Sequence, residues 1–248
     1  MLKEQNDIIQ TQNEELVRLN QSKDKFFSVL AHDLRSPLAA FSGLGKQLNY
    51  HIERKNLKKV NMLSEHIQES AETLTNLVDN LLDWSLVQTG RIEYEPEDLS
   101  LGEIVASIKG QLKDVLFHKD IQLVTNISPH AIMYADNQAV HIILRNIISN
   151  AIKFSHPSSL INILAEVEDK KVKVIIRDEG VGISNERLAL VRSNDALSSL
   201  GTKGEQGIGL GIALCKELLE MNQATFDIDS VEQKGTYVTL FFPKSKHA

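Results

Sequence analysis

The hydrophobic and polar positions of the first ninety residues follow a helical period. An apolar stripe recurs at three- and four-residue steps, at Leu30, Leu34, Leu38 and Phe41. This spacing predicts a helix that packs one face against a partner and ends at about residues 50–53.

A second helix is predicted from about Leu57 to Thr89, after a turn at Arg54–Asn56 and before Gly90, a residue type that commonly ends helices. Two seven-residue series run along it: Val60, Ile67, Leu74 and Leu81, and Leu63, Ser70, Leu77 and Trp84. Each helix carries more apolar surface than one partner covers, so we expect hairpins from two chains to form a four-helix bundle and hence a homodimer. A lone helical hairpin is the alternative.

The segment before these helices, residues 1–21, is rich in Gln, Asn, Glu and Lys. Leu2, Ile9 and Leu16 lie seven residues apart in it, which favours a coiled-coil seam that Gln5 and Gln12 weaken. Two interpretations fit equally well: a signalling helix whose upstream partner lies outside these residues, and a solvated lead-in helix.

Beyond a short charged linker at residues 91–98, the pattern changes to mixed helices and strands. It predicts an α/β sandwich with one mixed sheet and helices on one face. The predicted helices are Leu101–Phe117, Asp136–Phe154 and Gly209–Met221, and the predicted strands are Ile121–Ile127, Ile132–Tyr134, Leu160–Val167, Val172–Ile176, Thr225–Ile228 and Thr236–Phe242. The expected fold class is therefore an all-α hairpin in a dimeric four-helix bundle, followed by this sandwich.

Composition narrows the class of protein. The 248 residues suffice for two domains with their own cores. With 27 basic and 33 acidic residues the net charge is -6, which argues against binding nucleic acid or anionic membrane. One cysteine leaves no disulfide framework and favours a reducing compartment. No apolar run reaches the roughly 18 residues of a membrane span, so a membrane sensor would lie outside these residues.

A histidine and a carboxylate form the first candidate site. His32 lies off the apolar stripe, and Asp33 follows it directly. A neutral histidine can act as a nucleophile when a carboxylate accepts the proton of its other ring nitrogen. Pro37 has no amide proton for the carbonyl of Asp33, so we expect a bend there. A surface His-Asp pair is common on helices, so the pair alone is a weak indication of catalysis.

The predicted helix Asp136–Phe154 carries the second candidate site on its polar face. Asn146, Asn150 and Lys153 project within about 60° of one another because they lie four and three residues apart. Amide oxygens are hard ligands that suit Mg²⁺, and a lysine beside them can contact phosphate. Phe154 offers a flat face on which a base can stack. An ordinary solvated helix face is the alternative.

Two glycine-containing stretches follow. The first is a strand that ends near Asp178 and continues into Gly180, Gly182 and Ile183. Glycines let the backbone turn closely around a ligand, and a carboxylate at a strand end can accept a hydrogen bond from an adenine amino group. A plain glycine turn after a strand is the alternative.

The second stretch begins with the polar residues 193–206, which we interpret as a lid. A glycine run then enters a helix, at Gly207, Ile208, Gly209, Leu210 and Gly211. Such a run can offer backbone amides and the positive end of the helix dipole to phosphates. Its spacing is not that of a dinucleotide fingerprint, and the sequence contains no Gly-Lys-Ser/Thr phosphate loop.

Together these stretches resemble the boxes of the sensor histidine kinases, whose ATP-binding domain is shared with the gyrase, Hsp90 and MutL ATPases. His32-Asp33-Leu34-Arg35-Ser36-Pro37-Leu38 is similar to their phosphoacceptor box. The resemblance implies a dimerisation and phosphotransfer domain at residues 22–90 and a catalytic domain at 99–245. It also implies that ATP phosphorylates His32 with the help of Asp33, and that the phosphoryl group passes to an aspartate of a response-regulator receiver domain.

The resemblance further implies which residues hold the cofactors. Asn150, with Asn146 nearby, would bind Mg²⁺. The implied nucleotide site comprises Asn146, Asn150, Lys153, Phe154, Asp178, Gly180, Gly182, Ile183, Gly207, Ile208, Gly209, Leu210, Gly211 and Thr236. The expected location is the cytoplasm, alone or as the cytoplasmic part of a membrane-bound sensor.

Several positions depart from the family pattern. The stretch between Ser184 and Gln206 lacks the phenylalanines common before the last glycine box, Ser36 stands where phosphatase-competent relatives have Thr or Asn, and Gln223 replaces part of a glycine-containing turn. Two rival functions remain. One is a scaffold that binds nucleotide or receiver without transferring phosphate. The other is a gyrase-type ATPase, although Asn146 stands where those enzymes place a glutamate.

Overall fold

The computed structural model describes residues 10, 34–35, 38–39, 41, 43–88, 94–193 and 210–245. The chain divides into two compact units, one ending at Val78 and the other beginning at Asp79. The predicted N-terminal helix at residues 1–21, apart from Gln10, and the candidate residues His32 and Asp33 lie outside the described residues. The domain boundaries inferred from the sequence remain predictions.

The first unit contains a helical hairpin. Its first helix, α1, is described over residues 43–53, and its second, α2, spans Leu57–Gln88 and so continues past the end of this unit at Val78. Leu44 on α1 and Leu63 on α2 are buried, which supplies an apolar contribution to the stability of the hairpin. The second predicted helix is therefore present, and the described end of the first is helical over residues 43–53.

The turn predicted at Arg54–Asn56 is confirmed. Lys55 adopts a left-handed conformation, with φ 54°, and its N–H donates to the carbonyl of Ile52 at 2.9 Å. The N–H of Asn56 donates to the carbonyl of His51 at 3.0 Å, so the pair of bonds closes α1 with a Schellman motif. The side chain of Asn56 then caps α2 by accepting a hydrogen bond from the N–H of Lys59 at 3.2 Å.

The second unit is built on two sheets. Strands β1 (Pro96–Ser100) and β3 (Ile132–Asp136) form a two-stranded antiparallel sheet. The larger sheet has the order β2-β4-β5-β7-β6, and in it β2 and β4 are parallel while the other neighbours are antiparallel. Its strands are β2 (Gln122–Ile127), β4 (Leu160–Val167), β5 (Lys171–Asp178), β6 (Thr225–Val231) and β7 (Gly235–Pro243).

The prediction of a single sheet was wrong, because the described residues form two sheets, and β1 begins at Pro96, inside the segment predicted to be a linker. Pro96 is the first residue of this strand, a position that proline tolerates because its missing N–H is not needed by the ladder there. Leu99 is the strand's buried hydrophobic residue, so the charged residues around Pro96 have the appearance of a connector in the sequence.

Five helices accompany the sheets: α3 (Leu101–Gln111), α4 (Lys113–His118), α5 (Asn137–Phe154), α6 (Asn185–Arg192) and α7 (Leu210–Met221). The single helix predicted over Leu101–Phe117 is interrupted at Leu112, whose ψ of 7° departs from the helical value. The mostly exposed α6 was not predicted, because its buried residues are only Leu188 and Val191. None of the helices in the described part of the chain combines the length and apolar character needed to cross a bilayer.

The helices cover one face of the larger sheet, as predicted. Buried residues of α3, α5 and α7 form a single core with the inward rows of β4, β5 and β7. Strand register places Val174, Leu240 and Phe226 in one row and Ile176, Val238 and Ile228 in the next. Because side chains alternate between faces, the following row on the covered face consists of Asp178, Thr236 and Ser230. The apolar core therefore ends in a polar row at one end of the sheet.

Candidate functional site

The polar row begins with a buried carboxyl group. Asp178 is 5% exposed and ends β5. Its Oδ1 accepts hydrogen bonds from the N–H of Gly180 at 2.9 Å and the N–H of Thr236 at 3.2 Å. Burial raises the pKa of Asp178 to about 6, although the two backbone N–H groups act in the opposite direction. Oδ2 accepts no hydrogen bond from the described residues, so it can accept one from a ligand.

Backbone at this site approaches so closely that neither Gly180 nor Gly182 can carry a side chain. A Cβ on Gly180 would overlap the backbone carbonyl group of Phe154, the last residue of α5. The same carbonyl group accepts a hydrogen bond from the turn that follows Asp178. Gly182 has φ 65° and would bring a Cβ into the carbonyl of Val231. The glycines predicted to let the chain pass close to a ligand in fact also let it pass close to other backbone.

Helix α5 brings its predicted polar face beside α7. Asn146, Asn150 and Lys153 are all partly buried. The Nδ2 of Asn146 donates to the carbonyl of Ile142 at 3.0 Å, and a Cβ on Gly211 would lie 2.7 Å from the Oδ1 of Asn146. The structure therefore places Gly211, in the first turn of α7, next to the asparagine face.

The C-terminal end of α5 is held by a lysine that sequence reasoning missed. Lys119 is 4% exposed, and its ammonium donates to the carbonyl of Lys153 at 2.6 Å, a carbonyl that the helix itself leaves without a partner. The carbonyl of Phe154 accepts the N–H of Val181 at 3.1 Å. The Nζ of Lys153 lies 5.4 Å from the ring centroid of Phe154. These contacts fix the end of α5 against the Asp178 turn.

A serine is the second functional candidate that the sequence did not reveal. The Oγ of Ser230 accepts the N–H of Ile183 at 2.8 Å, lies 2.9 Å from the carbonyl oxygen of Gly235 and lies 3.0 Å from the Oγ1 of Thr236. Ser230 thus holds the backbone of Ile183 by a hydrogen bond and links the predicted site residue Thr236 to the segment that contains Ile183. Nothing in the local pattern around Ser230 distinguishes it from any other strand serine.

One buried amide connects the two helices that carry the site. Asn222, at the end of α7, accepts the N–H of Asp136 on its Oδ1 at 2.7 Å and donates its Nδ2 to the carbonyl of Leu218 at 2.8 Å. Asp136 is the N-cap of α5, where its Oδ1 accepts the N–H of Ala139 at 2.8 Å. The start of α5 and the end of α7 are therefore joined directly.

Not every predicted residue can be placed. Gly207, Ile208 and Gly209 lie outside the described residues, as do His32 and Asp33, and Leu210 is described only as the first helical residue of α7. The described part nevertheless brings together a buried acceptor carboxyl, an asparagine face with a lysine, an aromatic ring and a helix N-terminal turn. Such a set can accept an amino group at one end and interact with phosphates at the other.

Comparison with known families decides what this site belongs to. The histidine kinase-, DNA gyrase B- and HSP90-like ATPase family matches residues 135–246, and the His Kinase A (phospho-acceptor) domain family matches residues 22–90. The chain belongs to the histidine kinases. The family predicted from the sequence is confirmed, as is a helical region followed by an α/β domain.

Relatives of this histidine kinase include the sensor histidine kinase YclK of Bacillus subtilis, with 30% identity over 237 residues, covering 93% of this chain and 48% of YclK. RcsC of Escherichia coli is 27% identical over 229 residues, covering 90% of this chain and 24% of RcsC. The crystal structure of histidine kinase ThkA with response regulator protein TrrA has a TM-score of 0.64 at 18% identity, covering 94% of this chain and 64% of that one, and supports the fold. The chain spans 24% to 48% of the length of these curated relatives.

The raised pKa of Asp178 predicts a stability cost in this histidine kinase. The ordinary value is 3.8 and the folded value is about 6, so the folded state favours the protonated carboxyl. The cost is absent well below pH 4, grows between the two pKa values and is nearly complete above pH 6. Asp178→Asn keeps an oxygen for both backbone N–H groups but cannot ionise. We expect the variant to be about 2–3 kcal/mol more stable than the parent at pH 8 and only about 0.5 kcal/mol more stable at pH 4.

Urea unfolding of both proteins at the two pH values measures this difference. Asp169→Asn, an exposed change in the β4–β5 turn, is the matched control, and we expect it to alter stability by less than about 0.5 kcal/mol at either pH. An Asp178→Asn protein that is no more stable than its parent at pH 8 would show that the buried carboxylate carries no such cost.

Proposed function

We propose that this histidine kinase uses ATP to phosphorylate its own His32 and then passes the phosphoryl group to an aspartate on the receiver domain of a response regulator. The observation that carries the nucleotide part is the carboxyl of Asp178. This carboxyl is buried, and its Oδ1 accepts hydrogen bonds from two backbone N–H groups. Its Oδ2 accepts no hydrogen bond from the described residues. A buried acceptor of this kind matches the amino group of adenine.

The neighbours of Asp178 support a nucleotide in one orientation. Gly180 carries the backbone past Asp178 to the end of α5, where Phe154 can stack on the base and Lys153 can contact phosphate. Farther along α5, Asn146 and Asn150 would face the phosphates, together with the first turn of α7. Gly207, Ile208 and Gly209 would complete this phosphate contact.

The asparagine face fits a magnesium ion. The Nδ2 of Asn146 is engaged with the carbonyl of Ile142, so its carbonyl oxygen is turned toward α7, and Asn150 lies one turn farther along α5. Hard amide oxygens suit Mg²⁺, which takes its remaining ligands from phosphates and waters. When bound, the metal would neutralise charge on the transferring phosphoryl group.

The transfer itself follows from the chemistry of imidazole. A ring nitrogen of His32 attacks the γ-phosphorus, forming a P–N bond as the bond to the ADP oxygen breaks. Asp33 accepts the proton from the other ring nitrogen. The protein supplies positioning and charge: Asp178 orients the base, and Lys153 and the glycine run hold the phosphates.

The partners follow from the hairpin and from the relatives. The seven-residue series on α2 would pair with a second copy of this chain, giving a homodimeric four-helix bundle. ThkA is described in complex with the response regulator TrrA, which supports a receiver domain as the phosphoryl acceptor here. We place the reaction in the cytoplasm, where a receiver and ATP are available.

Radiolabelling tests this proposal. Incubation of the purified chain with γ-labelled ATP and Mg²⁺ is expected to give a labelled protein whose label is lost in acid and retained in alkali, the stability pattern of a phosphohistidine. A label lost in alkali contradicts the assignment. Nucleotide binding with no label would favour the scaffold, and steady release of phosphate from an unlabelled protein would favour the gyrase-type ATPase.

A further inference from the structure

Three polar groups converge on the hydroxyl of Ser230. The N–H of Ile183, the carbonyl of Gly235 and the hydroxyl of Thr236 all lie within 3.0 Å of its Oγ. Ser230 and Thr236 are both buried, at 8% and 9% exposure. Water therefore cannot readily exchange these partners, and the protons must be shared among the groups themselves.

Counting protons fixes the direction of each hydrogen bond. A serine hydroxyl has one proton to donate and two lone pairs to accept with. The carbonyl of Gly235 can only accept, so the proton of Ser230 is directed to it. The N–H of Ile183 can only donate, so it occupies one of the two lone pairs of the Ser230 oxygen. The remaining lone pair of Ser230 can only accept, and Thr236 must therefore be the donor in the bond between the two hydroxyls.

This arrangement determines what Thr236 can offer to a ligand. Its single proton is directed to Ser230, so its oxygen has only lone pairs left. Thr236 also lies beside Asp178 in the polar row, and its N–H donates to the Oδ1 of Asp178 at 3.2 Å. The side-chain oxygens of Asp178 and Thr236 thus form a stretch that accepts hydrogen bonds and donates none when Asp178 is ionised.

We propose that Ser230 is a positioning residue that sets purine selectivity, because it directs the Thr236 proton away from the base and leaves an all-acceptor edge. This rests on the proposed binding of the base at Asp178. A 6-aminopurine brings a donor to such an edge. A 6-oxopurine brings a carbonyl oxygen, and two acceptors facing each other in a buried site cost binding free energy.

Adenosine diphosphate (ADP) and inosine diphosphate (IDP) provide the probe. Their bases differ only at the edge that carries the 6-amino or 6-oxo group, and neither nucleotide carries a transferable γ-phosphate. The measured quantity is the ratio of the two dissociation constants, Kd for IDP over Kd for ADP, on the full chain with Mg²⁺. In Ser230→Ala the Thr236 hydroxyl can turn and donate to the 6-oxo group. We expect the ratio to fall about tenfold, while Ser230→Thr, which keeps the hydroxyl, restores the parent ratio.

The Thr236 variants separate a specific effect from a general loosening. Thr236→Val removes the hydroxyl and is expected to lower the ratio, whereas Thr236→Ser keeps it. In the Thr236→Val background, adding Ser230→Ala should change the ratio no further, because Ser230 acts through the Thr236 proton. A merely structural Ser230 would weaken ADP and IDP equally and leave the ratio unchanged, and that result overturns the proposal.

The alanine variant leaves the N–H of Ile183 and the carbonyl of Gly235 without their partner, so it can fail to fold. In that case the comparison of Thr236→Val with Thr236→Ser decides: equal ratios in the two overturn the proposal. The proposed function fails in a different way. If the parent protein does not bind ADP, the nucleotide assignment is wrong, whereas ADP binding with a ratio that no variant changes rejects only the role of Ser230.

Discussion

Changing His32 to glutamine is expected to abolish the acid-labile label completely while leaving the affinity for ADP unchanged. Glutamine is polar and of similar reach, but its amide nitrogen is not a nucleophile, so no P–N bond can form. The nucleotide residues Asn146, Asp178 and Thr236 belong to the second unit and keep their groups in this variant. The measurement is the incorporated label per chain, with an ADP titration of the same preparation.

A second histidine provides the control. His66 is exposed on α2, and His66→Gln makes the same chemical change on the hairpin. We expect His66→Gln to retain the parent level of label. Label that survives in His32→Gln would move the phosphorylation site elsewhere, and loss of label in both variants would point to damage to the hairpin rather than to a missing nucleophile.

Gly180→Ala is expected to weaken ADP binding by at least about a hundredfold and to reduce the free energy of unfolding by about 3 kcal/mol. The added methyl group would overlap the carbonyl of Phe154 and lie 2.9 Å from the Oδ1 of Asp178. Backbone cannot yield as a flexible side chain does, so the contact between the N–H of Val181 and Phe154 must open. The stacking ring would then move away from the acceptor carboxyl.

Urea unfolding and ADP titration measure the two effects. Gly110→Ala, in α3, is the matched control, because a Cβ there meets nothing within 4 Å. A helical glycine replaced by alanine without a clash should gain up to about 1 kcal/mol. A Gly180→Ala protein with the parent affinity for ADP would contradict the prediction, because it would show that the turn after Asp178 can move without weakening the binding of the base.

The parts of the site that could be predicted are those that depend on neighbours in the sequence. Asn146, Asn150 and Lys153 share a helix face because of their spacing, and Asp178 ends a strand whose apolar alternation is visible in the sequence. Each of these inferences needs only a helical or strand period. The fold class followed for the same reason, since the order of helical and alternating segments sets the layers.

The parts that could not be predicted depend on contacts between distant residues. Lys119 meets the carbonyl of Lys153, 34 residues away, and Ser230 meets the N–H of Ile183, 47 residues away. No period in the sequence relates such pairs, because the contact exists only after the sheet has formed. Strand β1 was missed for the same reason, since its pairing with β3 outweighs the charged, proline-containing sequence around it.

The amide of Asn222 bears on how chimeric kinases should be designed. It joins the N-cap of α5 to the last turn of α7, two segments that are 86 residues apart in the chain. A graft that replaces the end of α7 with a segment lacking Asn at position 222 would leave the buried backbone N–H of residue 136 without this acceptor. A transplanted α7 should therefore keep Asn222, whichever parent supplies α5.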